Sequence, residues 1–102
     1  MARLGKIARV VRSKNAGALN ITLDIMFDDL ETFERVIASG AISPQVIARL
    51  YAVEVAVVEI IPYPVANAIK ITLPRKIPSG DPGDGDVYGA QQHAPLLSIE
   101  IP

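Results

Sequence analysis

The strict alternation of residues 18–27 (ALNITLDIMF) constrains the fold of this chain more than any other feature. Leu19, Ile21, Leu23, Ile25 and Phe27 fall on one side of an extended backbone and Asn20, Thr22, Asp24 and Met26 on the other, because successive strand side chains point to opposite faces. A strand with one buried face satisfies that pattern, and its apolar side needs a second layer. The residues that follow supply one. Asp28, with Glu31 three residues on, has the form of a helix start; Leu30, Phe33, Val36 and Ile37 recur at helical spacing, and Gly40 closes the segment. Ser43 then stands as an N-cap, with Pro44 at the first helical position, where its missing N–H costs nothing. Val46, Ile47, Leu50 and Tyr51 give that second helix its apolar stripe.

The remaining segments read as strands. Residues 4–12 mix apolar and basic side chains, with Ile7 and Val11 on one face and Ala8 and Val10 on the other. Residues 53–61 are apolar on both faces except for Glu54 and Glu59, as a central or interface strand would be, and Pro62-Tyr63-Pro64 ends it by removing ladder donors. Residues 68–73 and 96–101 alternate Ile69, Ile71, Leu73 and Leu97, Ile99, Ile101 with polar neighbours. The order β-β-α-α-β-β-β specifies an α+β class: a ferredoxin-like sandwich with a largely antiparallel sheet and two short helices on one face. No repeat and no Gly/Ser linker divides it, so residues 1–102 are expected to form one α+β domain, which at this length buries about two-thirds of its unfolded surface without a disulfide or metal staple.

Composition narrows the function classes. Aromatic residues make up only 5% of the chain, which argues against a base-stacking platform, and a net charge of -1 gives no long-range pull on polyanions, so nucleic acid is not an expected partner. Without cysteine there is no disulfide framework, thiolate metal site or thiol nucleophile. No segment approaches the roughly 20 apolar residues of a membrane span, and MARLGKIARVVR lacks a signal-type apolar run, so a cytoplasmic location without membrane attachment is expected.

Two polar segments stand out from this apolar background. The first, DPGDGDVYGAQQHAPLL (residues 81–97), is a long loop in a small domain, and such loops are usually functional. Its Asp81, Asp84 and Asp86 resemble part of a calcium loop but lack the distal Glu, and Pro82, Gly83 and Gly85 make a solvated turn the better reading, so no metal and no cofactor is expected. His93, the only histidine, is the candidate general acid or base, with Asp86 and Tyr88 as helpers and Gln91 and Gln92 able to donate and accept toward a carboxylate or amide. The second segment, Arg12-Ser13-Lys14-Asn15-Ala16-Gly17, reads as the connection between two strands and gathers cations, a hydroxyl and an amide suited to an anionic group. Turn chemistry alone is the better explanation of Asn15 and Gly17, which a β-hairpin would select.

The stretches RSKNAGALNITLDIMFDD, AIKITLPRK and DVYGAQQHAPLLSIEI together resemble the small bacterial domain of unknown function that accompanies acyclic terpene utilisation proteins. The likeness spans nearly the whole chain. A weaker similarity runs to the ferredoxin-fold domain at the C-terminal end of those larger proteins. What the resemblance implies is a small subunit working with a large partner of that class on acyl-CoA or carboxylic acid compounds. The expected function is therefore an accessory subunit, not catalytic alone, in which Arg12 and Lys14 hold an anionic substrate group and His93 with Gln91 orients or protonates it. The alternative is a structural or interaction module forming homo-oligomers through the apolar residues 53–61 and the final strand. A standalone enzyme or sensor is the third reading and would need a pocket between subunits.

Overall fold

The computed structural model describes residues 2–75, 80 and 92–102. Its centre is a four-stranded antiparallel sheet in the order β2-β3-β5-β4, built from β2 (Val10–Asn15), β3 (Asn20–Met26), β4 (Glu59–Tyr63) and β5 (Ala68–Pro74). Between β3 and β4 run α2 (Leu30–Ser39) and α3 (Pro44–Tyr51). The ends of the chain form a two-stranded ribbon, β1 (Ala2–Arg3) against β6 (Glu100–Ile101), beside the short helix α1 (Leu4–Ile7). This is the expected α+β class, with an antiparallel sheet and short helices. Among the described residues no helix is long and apolar enough to cross a membrane.

The alternation in residues 18–27 decides which face is buried. Register places Ile21, Leu23 and Ile25 of β3 beside Leu73, Ile71 and Ile69 of β5, all at most 2% exposed. On the outer strands Val11 and Ser13 continue the same face beside Ile25 and Leu23, and Ile60 stands beside Ile71. Phe33 and Val36 of α2, Ile47 of α3, and Leu4, Leu96, Ile99 and Ile101 complete one core with these residues. Phe27 and Phe33 meet edge to face, with ring centroids 6.5 Å apart, so β3 and α2 lock together where one leads into the other. Each fully buried Ile or Leu contributes about 1.5–3 kcal/mol, so this row holds the sheet to its helices.

The helices start and stop for local reasons. Asp29, rather than Asp28, caps α2: its carboxylate accepts the Thr32 N–H at 2.7 Å, and the hydrogen bonds from Thr32 hold its carboxyl below the usual range. Gly40 ends the helix in the left-handed region, φ 70, where it is strain-free. Ser43 caps α3 through Val46 N–H at 3.2 Å, with Pro44 in the first turn, as expected.

Four segments depart from the expected strands. Residues 4–12 do not form one strand: Leu4–Ile7 is a helical turn, and β2 begins at Val10. The cause is tertiary, since Leu4 is fully buried, its N–H bonds the Ile99 carbonyl at 2.7 Å, and Gly5 lies so close to Leu97 that a Cβ there would sit 3.2 Å from its side chain. The stretch from Arg12 to Asn15 is strand rather than turn, and residues 16–19 make the connection, with Gly17 at φ 77. Residues 53–61 are neither central nor one strand, but a 3-10 turn (Val55–Val57) followed by β4 at the sheet edge. Residues 96–101 begin as a 3-10 helix (Ala94–Ser98), with Pro95 in its first turn, leaving only the two residues of β6 as strand.

Pro62 lies inside β4 and does not end it, for a reason visible in the ladder. Phe27 N–H bonds the Asn67 carbonyl and Arg75 N–H the Leu19 carbonyl, so odd residues of β5 bond β3 and even ones bond β4. Their partners in β4 are Glu59, Ile61 and Tyr63, which leaves Pro62 facing outward, where its missing N–H breaks no bond.

Leu23→Ala is expected to cost about 3 kcal/mol in urea unfolding, because a fully buried side chain leaves a cavity; a cost near that of a surface change would show that the core row does not hold the sheet. The Asp29 cap is charge-dependent. Its lowered folded pKa contributes stability that is present above the ordinary carboxylate value and lost as pH falls through the folded one. Asp29→Ala should therefore lower Tm at pH 7, with the gap to the parent closing in acid; a gap that does not change with pH would rule out the charged cap.

Candidate functional site

β2 brings alternate side chains of the Arg12 to Asn15 stretch to opposite faces. Ser13, 6% exposed, and Asn15 lie on the helix-covered face, while Arg12 and Lys14 lie on the other. A polar cluster gathers around Ser13. Gln92 N–H donates to Ser13 Oγ at 2.9 Å, and the Tyr51 hydroxyl donates to the Gln92 carbonyl at 2.7 Å. Arg75, just beyond β5, donates through Nη1 to Asn15 Oδ1. The backbone of Gln92 is thus clamped on both sides by residues 79 and 41 positions away in sequence.

These contacts arise from the elements that carry them. Ser13 is a polar residue within the buried face of an outer strand, so its hydroxyl requires a partner, and the returning chain provides it. Tyr51 ends the buried stripe of α3, its ring packed against the core and its hydroxyl directed at Gln92. Burial raises the Tyr51 phenol above its ordinary value of 10.0, keeping it protonated as a donor.

His93 follows Gln92 and precedes the 3-10 helix, its carbonyl accepting the Leu96 N–H at 3.0 Å. The residue is half-buried, and its Nδ1 is buried without a hydrogen-bond partner. The Ser13 hydroxyl engages the Gln92 N–H, so the cluster orders the chain. Arg12 is directed elsewhere, its Nε 3.3 Å from Asp24 across the ladder.

The structure therefore brings Ser13, Asn15, Gln92 and His93 to one end of the helix-covered side and sets Arg12 and Lys14 on the opposite face. Asp86, Tyr88 and Gln91 lie outside the described residues, as do Asp81 and Asp84 of the calcium-like stretch. Among the described residues no group of three or more His, Asp or Glu could hold a metal. Tyr51 and Arg75 belong to the cluster without having stood out in the sequence. For Tyr51 a signal existed: a tyrosine in an apolar helical stripe carries a hydroxyl that must find a partner. Arg75 had none.

With that geometry in view, comparison with known families is decisive on one point. The family model described as domain of unknown function (DUF4387) matches residues 4–100. The chain belongs to this family. The match takes in both β2 and the segment around Gln92, so the clamp lies within the DUF4387 domain. No curated protein and no solved structure matches the chain.

Tyr51→Phe leaves the Gln92 carbonyl without its donor and is expected to cost about 1–2 kcal/mol, with faster amide hydrogen exchange in residues 92–98. The pH dependence has a defined sign. Because the folded pKa lies above the unfolded one, the folded state holds an extra proton, and stability falls as pH rises beyond about 10. That alkaline loss should be smaller in Tyr51→Phe; an equal loss in both proteins would show that the phenol is not the group responsible.

Proposed function

We propose that this DUF4387 domain is a cytoplasmic accessory subunit of a catabolic enzyme complex, working with a larger partner of the acyclic terpene utilisation class on an acyl-CoA or carboxylic acid compound. The observation that carries this reading is the clamp on Gln92. Ser13 and Tyr51 fix the chain at Gln92, and His93, with an unpartnered Nδ1, stands beside it. A fixed chain segment beside one titratable ring is suited to completing a site whose reactive groups come from another chain. The resemblance of residues 12–29, 68–76 and 86–101 to the small companions of such proteins supplies the class of partner.

A second reading, a homo-oligomeric interaction module, is favoured by the exposed Val55, Val57, Tyr63 and Val65 near the sheet edge, with Val65 wholly exposed. The two are separated by recovering the tagged protein from its native cytoplasm and measuring mass by light scattering and composition by mass spectrometry. A stoichiometric larger protein of the stated class, with turnover in the assembled complex reduced by His93→Ala, is the expected result. A homo-oligomer with no companion would favour the interaction module, and unchanged turnover in His93→Ala would end the site role.

A further inference from the structure

The sheet face turned away from the helices carries an arrangement that the clamp does not use. Register sets two cross-strand rows on it: Arg12, Asp24, Lys70 and Ile61, then Lys14, Thr22, Thr72 and Glu59. Thr22 is at the centre, flanked directly by Lys14 and Thr72 and diagonally by Arg12 and Lys70, neighbours that come within about 5–8 Å on a sheet. It is only 4% exposed, and its Oγ1 is buried without any hydrogen-bond partner.

A buried hydroxyl with nothing to bond is a cost that valine, the better strand former of the same shape, would remove. Such local violations concentrate at functional positions. The charge around this hydroxyl is cationic. Arg12, Lys14 and Lys70 face Asp24, which Arg12 engages at 3.3 Å, and Glu59, which lies beyond Thr72 at the far end of its row. Among the described residues no ion pair holds Lys14 or Lys70.

The geometry points to an oxyanion-binding site on this sheet face, in which Lys14 and Lys70 grip a carboxylate or phosphate group and the hydroxyls of Thr22 and Thr72 donate to it. Charge-assisted hydrogen bonds from two lysines on adjacent sides, with hydroxyl donors between them, are the chemistry such a group requires. Asp24, neutralised by Arg12, closes one side of the site against a second anion. This assignment does not depend on the subunit reading, since it is tested on the chain alone.

The test is a titration of the full ¹⁵N-labelled chain at low ionic strength with inorganic phosphate, with succinate, and with sodium chloride at matched ionic strength. Saturable amide shifts centred on Lys14, Thr22, Lys70 and Thr72 are expected with at least one oxyanion and not with chloride. Saturation by phosphate alone assigns a phosphate group, by succinate alone a carboxylate, and by both an oxyanion without discrimination. Lys14→Met and Lys70→Met should each weaken binding about tenfold. Thr22→Val should weaken it while raising Tm above the parent, a combination that a purely structural threonine would not give. The absence of saturation by either oxyanion, shifts reproduced by chloride, binding unchanged in the lysine variants or in Thr22→Val, or no rise in Tm would overturn the assignment.

Discussion

The fold depends on one constraint: the period-two alternation of β3 must bury Ile21, Leu23 and Ile25 against β5 and beneath the helices. A one-residue slip would turn Thr22 and Asp24 inward and the isoleucines to solvent, so register is specified by the burial itself. With β3 central and paired on both sides, β2 inherits its facing from the ladder, and every polar residue of β2 is assigned to a side by that inheritance.

That assignment divides what looked in sequence like one anion-binding pocket. Arg12, Ser13, Lys14 and Asn15 are consecutive, and a turn would let them converge on one ligand. A strand cannot. Ser13 and Asn15 join the Gln92 clamp on the covered side, and Arg12 and Lys14 join Lys70 and Thr22 on the other. The domain thus has two chemically different faces made by a single strand: one fixes the returning chain at Gln92, and the other gathers cations around a buried hydroxyl.

The central elements were legible because their signals are local. The alternation around Leu23, the Ser43-Pro44 start of α3 and the Gly40 stop of α2 each follow from interactions within a few residues, and each has its expected role. The segments that departed are those whose conformation is set by distant contacts. Leu4 turns inward as a helix because Ile99 and Leu97 await it, and the closing strand is shortened because Pro95 and the buried Leu96 favour a 3-10 turn. Residues 53–61 are apolar enough for a central strand, yet β5 is already held by β3 on one side, so β4 takes the edge, where Pro62 is tolerated.

By itself, the sequence determined the α+β class, the two helices with the Gly40 stop and the Ser43 cap, and the buried face of β3, because periodicity and capping act over a few residues and leave little freedom. Only the tertiary structure decided that Gln92 returns to Ser13 and Tyr51, that Asn15 meets Arg75, and that Lys14 and Lys70 share a face with Thr22. The hydrogen-bonded meetings join residues roughly 40 to 80 positions apart, and no local propensity encodes them. They follow from strand order and register, which the packing of the whole core selects.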